Sequence, residues 1–153
     1  MTRVARVATE ADVPIIRGLV ERAYGRYIER MDRIPAPILA DYPRLVADGV
    51  VTVIDDTERG IVGVLVSWVD GDSYYVDNVA VDPDAQGTGL GGLLLDLADE
   101  QARAAGRSRV RLYTNAAMHE NLDYYPRQGF VEIDRRRDEG YDRVFYERQI
   151  TIS

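Results

Sequence analysis

The segment Gln86–Leu93 places four glycines where a strand changes into a helix. It reads Gln-Gly-Thr-Gly-Leu-Gly-Gly-Leu and follows an apolar strand that ends at Val81. The first amides of a helix lack partners within the helix, and together with the helix dipole they bind anions, phosphate above all. Glycines let such a ligand approach the backbone because no Cβ stands in the way. A glycine inside the first helical turns costs about 1 kcal/mol, so a bound phosphate explains this segment better than a turn without a ligand.

Two other phosphate-binding motifs fit the segment less well. A P-loop needs Lys followed by Ser or Thr after its last glycine, and Gly92 is followed by Leu93. A dinucleotide fingerprint is matched in form by Gly87, Gly89 and Gly92. That fingerprint also needs an acid at a strand end about twenty residues further on, where this chain has Leu112.

The elements that must position this turn follow from the spacing of apolar residues. Short or alternating apolar runs predict seven strands, over Arg3–Val7, Val50–Asp55, Ile61–Val69, Tyr74–Val81, Arg109–Thr114, Phe130–Arg135 and Arg143–Ile150. Helical spacing predicts helices over Ile16–Met31, over Ile38–Ala47, from Leu90 to the stop at Gly106, and over His119–Gln128. The order βααβββαβαββ predicts an α+β fold, with a mixed, mostly antiparallel sheet of about seven strands and helices on both faces. The length of 153 residues predicts a single domain, 1–153.

The stretch Val81–Gly91 reads Val-x-Pro-x-x-Gln-Gly-x-Gly-Leu-Gly. It resembles the acyl-CoA signature of the GNAT superfamily of N-acyltransferases, in which Gln86, Gly89 and Gly91 match Gln/Arg-x-x-Gly-x-Gly/Ala. The family's order of strands and helices is similar too, so the resemblance covers Arg3–Ile150. It implies acetyl-CoA as co-substrate, with the pyrophosphate on the amides of this turn. The residues implied to bind it are Val79, Ala80, Val81, Gln86, Gly87, Thr88, Gly89, Leu90, Gly91 and Asn121.

Catalytic residues are implied by the same resemblance. Tyr125 opens a Tyr-x-x-x-Gly-Phe segment and matches the family's tyrosine that protonates the departing thiolate; the alternative is a packed aromatic residue. The asparagine that bonds the pantetheine arm most often lies seven residues before this tyrosine, where the chain has Met118, so Asn121 and Asn115 are the candidates. Asp77 matches the acid of the strand before the turn, which acts as general base. The alternatives are Glu29 and a chain of waters.

The resemblance also implies that the acyl acceptor contacts the segments 24–37 and 138–141. The residues expected to contact it are Tyr24, Tyr27, Glu29 and Tyr141, with Asp32, Asp138 and Glu139 nearby. Tyrosines and acids suit a cation, and the net charge is −7. We therefore expect a primary amine on a small cationic or zwitterionic molecule, or the basic group of a peptide. The alternative is an ordinary solvated face.

Composition narrows the partners, cofactors and locations that are open to the chain. A net charge of −7 argues against a nucleic-acid partner. The chain has no cysteine and no cluster with metal-ligand spacing, so no metal is expected. The longest apolar run, Ile61–Val69, is too short to span a bilayer, which predicts no membrane association and a cytoplasmic location. The sequence is compatible with a homodimer. A non-catalytic CoA-binding or regulatory module of the same fold is the alternative function.

Overall fold

A computed structural model describes residues 2–31 and 33–152, whose strands form a seven-stranded sheet. The strands are β1 Arg3–Val7, β2 Val51–Asp56, β3 Gly60–Asp70, β4 Ser73–Val81, β5 Arg109–Asn115, β6 Val131–Asp138 and β7 Tyr141–Gln149. Their order across the sheet is β1-β2-β3-β4-β5-β7-β6. β5 runs parallel to β4, whereas the pairs β1–β2, β2–β3, β5–β7 and β6–β7 are antiparallel. The predicted α+β class with a mixed sheet is therefore confirmed.

The α-helices are α1 Val13–Tyr24, α2 Ala36–Leu39, α3 Tyr42–Ala47, α4 Leu90–Ala104 and α5 His119–Arg127. The prediction of one helix over Ile16–Met31 is wrong in its second half. α1 ends at Tyr24, and a tighter 3₁₀ helix covers Gly25–Arg30. The change falls at Gly25, where a glycine weakens an α-helix by about 1 kcal/mol.

The predicted helix over Ile38–Ala47 is two helices, α2 and α3. Pro43 causes the break, because its ring would clash with the carbonyl of Leu39 and it has no N–H to donate to that carbonyl. The chain is extended at Ala40, and the Asp41 side chain caps α3 by accepting from the Arg44 amide at 3.3 Å. The order of elements therefore has one more short helix than the sequence predicts.

The last hairpin is longer than expected. β6 extends to Asp138 rather than Arg135, and β7 begins at Tyr141 rather than Arg143. Two residues, Glu139 and Gly140, connect the strands, and both have positive φ, 52° and 84°. This combination is typical of the tight turn whose twist matches a β-hairpin, so Tyr141 starts a strand and is not a loop residue.

The chain divides into two compact units. The first comprises the stretch up to Ser67 together with Asn78–Leu95. Its core is formed by apolar side chains of α1, β2, β3 and the start of α4, with Ile16, Leu19, Val51, Val53, Leu65, Leu90 and Leu94 fully buried or nearly so. The second comprises Trp68–Asp77 and the stretch from Asp96 onward. Its core includes Val76, Ala98, Val110, Leu112, Phe130, Val144 and Tyr146.

Candidate functional site

The glycine turn of the first unit is anchored at both of its ends. Where β4 ends, the Asp82 amide donates to the carbonyl of Val62 at 2.9 Å. The Asp82 carboxylate accepts from the Arg22 guanidinium at 2.9 Å. A 3₁₀ helix over Pro83–Ala85 follows, and the Thr88 hydroxyl donates to the carbonyl of Ala85 at 2.6 Å. These bonds fix the entry to α4 without using the amides at its first turn.

The backbone of the turn leaves room for a ligand. Gly87 and Gly89 have φ of +80° and +83°, and a Cβ added at either would meet no heavy atom within 4 Å. The Leu93 amide donates to the carbonyl of Gly89 at 3.1 Å, so the amides of Leu90, Gly91 and Gly92 precede the first intrahelical bond. The Leu90 side chain is buried and holds the start of α4 in the core. Open glycines and helix-start amides fit a diphosphate group.

The end of β4, which contains Val79, Ala80 and Val81, is tied to the first helices of the same unit. The Tyr24 hydroxyl lies 2.9 Å from the Val79 carbonyl and 2.8 Å from Oδ1 of Asn78. The Asn78 amide in turn donates to the Tyr42 hydroxyl at 3.1 Å. Tyr24, expected to contact the acceptor, therefore also fixes the strand expected to carry the coenzyme arm.

Two further residues expected to contact the acceptor lie in the 3₁₀ helix after α1. Tyr27 is 3% exposed, and the Arg26 and Arg30 guanidiniums lie 4.8 and 5.3 Å from its ring centroid. Its ring is thus packed against cations of the chain itself. Glu29 is exposed. Asp32 lies outside the described residues.

Asp77 lies on the half-exposed face of β4 in the second unit, two residues after Tyr75. Burial raises the pKa of its carboxyl to about 6, the charge of Arg143 opposes this rise, and that of Glu139 adds to it. A carboxyl with a pKa near 6 is ionised at neutral pH and still binds a proton readily. Asp77 therefore has the proton affinity that a general base needs.

A row of aromatic rings crosses adjacent strands on the face of the sheet that carries this carboxyl. Tyr75 stacks on Tyr113 with centroids 6.1 Å apart, while Trp68 and Phe145 continue the row on either side. Burial, followed by the charge of Asp77, raises the pKa of the Tyr113 hydroxyl to about 12. Burial likewise raises the pKa of Tyr75. Both phenols stay protonated at neutral pH, so the site combines a proton acceptor with hydrogen-bond donors.

Arg143 is a site residue that the sequence did not indicate. It is 5% exposed on β7, and Nη1 lies 2.9 Å from Oδ2 of Asp138. Its guanidinium carbon lies 4.1 Å from the ring centroid of Tyr113 and 5.3 Å from that of Tyr141. Tyr141 is itself buried. Together with Tyr113 it forms the aromatic site that holds the arginine, which we call the seat of Arg143. The predicted strand begins at Arg143, whereas β7 begins at Tyr141. The sequence therefore places Arg143 at the end of a strand and gives no sign that it is buried.

Tyr125 lies in an aromatic cluster of the second unit. It is 9% exposed, and its ring contacts those of Tyr124, Phe130 and Tyr146 with centroids 5.5 to 5.8 Å apart. These contacts hold the ring in one orientation, as both a packed and a catalytic tyrosine would require.

Asn121, on α5, donates from Nδ2 to the Thr114 hydroxyl at 3.0 Å. Met118, at the family's usual asparagine position, is buried beside it. The Asn115 side chain accepts from the Ala117 amide at 2.8 Å. Both candidate asparagines therefore have partners within the second unit.

Solved structures of acetyltransferases share this fold. The chain belongs to the GNAT acetyltransferase family, since the family model of the acetyltransferase (GNAT) domain matches residues 47–132. No curated protein sequence matches it.

Three solved structures illustrate the likeness of fold. The ribosomal-protein-S18-alanine N-acetyltransferase of Escherichia coli is 18% identical, with a TM-score of 0.72 over 99% of this chain and 96% of that chain. The PaiA N-acetyltransferase of Thermoplasma acidophilum, in complex with coenzyme A, is 14% identical, with a TM-score of 0.80 over 97% and 99%. The N-acetylglutamate synthase of Neisseria gonorrhoeae, complexed with coenzyme A and N-acetyl-glutamate, is 17% identical, with a TM-score of 0.76 over 99% of this chain and 36% of that chain.

Family membership supplies the general activity, acyl transfer from coenzyme A, with acetyl-CoA as co-substrate. Within residues 2–31 and 33–152, no group of three or more His, Asp or Glu side chains is arranged to hold a metal ion. In the same residues, no helix has the length and apolar character needed to cross a membrane.

Proposed function

We propose that residues 1–153 act as a single domain that transfers an acetyl group from acetyl-CoA to a primary amine. The observation that carries the proposal is the half-buried Asp77 carboxyl on β4 of a chain that belongs to the GNAT acetyltransferase family. Burial raises the pKa of this carboxyl to about 6, which suits a group that must deprotonate a cationic amine before it attacks. The open glycine turn supports the coenzyme half of the proposal.

Each candidate residue then has a role in the reaction. The turn Gln86–Gly91 binds the pyrophosphate through its amides, and the backbone of Val79, Ala80 and Val81, with Asn121, carries the pantetheine arm. A backbone N–H polarises the thioester carbonyl. The ammonium substrate loses a proton to Asp77, directly or through water, and its nitrogen attacks the carbonyl carbon. As the C–N bond forms and the C–S bond breaks, the sulfur receives a proton from Tyr125. The nitrogen loses its second proton through water, which restores the Tyr125 phenol, and Asp77 releases the first proton to solvent.

Charge supports a small cationic or zwitterionic acceptor, or the basic group of a peptide. In the second unit, Asp77, Asp138 and Glu139 act on one cation, Arg143, so carboxylates outnumber the guanidinium. The net charge of the chain is −7, which also attracts cations. In the first unit, Arg26 and Arg30 cover Tyr27, so attraction of a cation would come from the acids rather than from this ring. The solved structures are named for acceptors as different as a ribosomal protein's alanine and glutamate, which leaves the acceptor to be decided by these charges.

The test is the initial rate of thiol release from acetyl-CoA with a panel of amines. The panel compares polyamines and aminoglycosides with acidic amino acids, at a low and a high salt concentration. We expect cationic amines to give the higher kcat/KM, and we expect this advantage to fall as salt rises, because salt screens attraction between charges. A preference for acidic amines would overturn the acceptor class while leaving the transferase intact. Binding of acetyl-CoA without thiol release for any amine would overturn the transferase.

A further inference from the structure

Arg143 has unusual surroundings for so strongly buried a cation. Its one short ion pair is the 2.9 Å contact with Asp138, and Glu139 lies 3.6 Å away with a side chain that is 77% exposed. Its Nε is buried and has no hydrogen-bond partner among the described residues. Burying an arginine costs free energy unless the charge is well paired. The fold therefore keeps a cation here at a cost to stability.

Besides this ion pair, two aromatic rings hold the Arg143 guanidinium. It lies over the face of Tyr113 at 4.1 Å and near Tyr141 at 5.3 Å. Tyr113 is fixed in turn by its stacking on Tyr75 and its contact with Phe145. Arginine prefers such flat partners because its guanidinium is planar and weakly hydrated. In the parallel register of β4 and β5, Val76 lies beside Leu112, so Asp77 follows next to Tyr113. The guanidinium over the Tyr113 ring is therefore held on the face of the sheet that also carries Asp77.

The turn beside this seat is strained. Glu139 has a φ of 52°, which is uncommon for a residue other than glycine. The two-residue hairpin turn requires this conformation. The turn brings a second carboxylate to 3.6 Å from Arg143 and within electrostatic reach of Asp77.

Asp77 is thus subject to two opposed charges. The cation of Arg143 favours its ionised form, and the anion of Glu139 disfavours it. The polar and charged groups around Asp77 and Arg143 come from β4, β5, β6, the last turn and β7. They are Tyr75, Tyr113, Arg136, Asp138, Glu139, Tyr141 and Arg143. Of the two arginines, Arg143 is the one whose charge acts on the Asp77 carboxyl.

We propose that Arg143 is a positioning residue of the transferase, which holds a fixed positive charge beside the Asp77 carboxylate from its seat between Tyr113 and Tyr141. The proposal rests on the proposed function, in which Asp77 is the base. It predicts that changes at Arg143 move the pH dependence of the reaction, whereas a residue that only stabilises the fold would lower activity equally at every pH.

The direct test is a pH titration of the Asp77 carboxyl by carbon NMR, assigned with Asp77→Asn. Arg143→Gln removes the favourable charge, so the pKa of Asp77 should rise by about one unit, as is typical of losing a nearby opposite charge. Glu139→Gln removes an unfavourable charge, so the pKa of Asp77 should fall, by less because Glu139 is exposed and screened. Arg143→Lys keeps the charge without the planar stacking and should retain most of the wild-type value.

The matched control is Arg136→Gln. Arg136 lies opposite Arg143 in the register of β6 and β7. Its guanidinium carbon lies 4.0 Å from the ring centroid of Phe145. It does not contribute to the pKa shift of Asp77. The titration of Asp77 should therefore be unchanged in this variant. A shift as large as that of Arg143→Gln would mean that loss of any nearby arginine perturbs the carboxyl, and the proposal would fail.

The same variants are then assayed for kcat/KM of acetyl-CoA from pH 5 to 9, with spermidine as acceptor. For Arg143→Gln we expect the acid limb to move to higher pH, with a loss of about tenfold at pH 5 and little loss at pH 8.5. An unmoved titration and an unmoved acid limb would overturn the role of Arg143. A shifted titration with no turnover in wild type would instead overturn the proposed function. Should Arg143→Gln fail to fold, Arg143→Met is used instead, since an apolar side chain of similar length suits a buried site. It should raise the pKa of Asp77 in the same way, and an unmoved titration would overturn the role of Arg143.

Discussion

Replacing Asp77 by asparagine should make the protein inactive and more stable at the same time. In the folded chain the pKa of the Asp77 carboxyl is about 6, against 3.8 for an exposed aspartate. The folded protein therefore holds this proton more tightly than the unfolded chain does. As pH rises from about 4 to about 6 the unfolded chain loses the proton first, and stability falls across that interval. Above pH 6 the full penalty is present.

The magnitude follows from the size of the shift. A difference of about two pH units corresponds to about 3 kcal/mol of stability lost by the wild type at pH 8. The asparagine side chain carries no charge at any pH, so Asp77→Asn should be more stable by up to about that amount at pH 8. The advantage should shrink towards zero below pH 4, where the wild-type carboxyl is neutral in both states.

Urea unfolding at several pH values measures this difference. The midpoint of Asp77→Asn should exceed that of wild type at pH 8 with an unchanged m-value, and the two should converge near pH 4. Asp72→Asn, at the exposed turn before β4, serves as control and should change stability little at any pH. A variant less stable than wild type at pH 8, or an advantage independent of pH, would refute the account of Asp77.

Two further substitutions test the other candidate residues. Gly89→Ala should weaken acetyl-CoA binding, because the added methyl group enters the space assigned to phosphate. Gly60→Ala is the control, since it introduces the same left-handed strain, at φ +76°, in equally open space. Equal affinities of the two variants for acetyl-CoA would contradict the assignment. Tyr125→Phe keeps the ring and should lower kcat by about 10²-fold, as for loss of a general acid, with stability nearly unchanged. Tyr124→Phe removes the neighbouring hydroxyl and should leave kcat close to wild type; a fall as large as that of Tyr125→Phe would argue for packing instead.

Features decided by nearby residues could be predicted from the sequence. The glycine turn follows from the glycines between β4 and α4, and the seven strands follow from local apolar patterns. The break at Pro43 obeys a local rule too, but the apolar spacing on either side of it suggested one continuous helix. β6 was predicted too short because all of its side chains except that of Asp138 are exposed, so its sequence has no alternation to mark its end.

The seat of Arg143 could not be predicted in this way. Its burial depends on the pairing of β5 with β7, which sets Tyr113 opposite Phe145 and Asn115 opposite Arg143. These partners are about thirty residues apart in the chain, and the register between them depends on where the last turn falls. Asp77 was predicted as the base by resemblance, but its pKa near 6 depends on burial and on charges from that distant hairpin.

The central claim is that the chain joins an acetyl group to an amine. The most direct measurement incubates the purified protein with acetyl-CoA and the best amine of the panel, and compares free coenzyme A with acetylated amine by mass spectrometry. We expect one mole of acetylated amine for each mole of coenzyme A released, no release above background without the amine, and loss of both products in Asp77→Asn. Release of coenzyme A without acetylated amine, or tight binding of acetyl-CoA with neither product, would contradict the account.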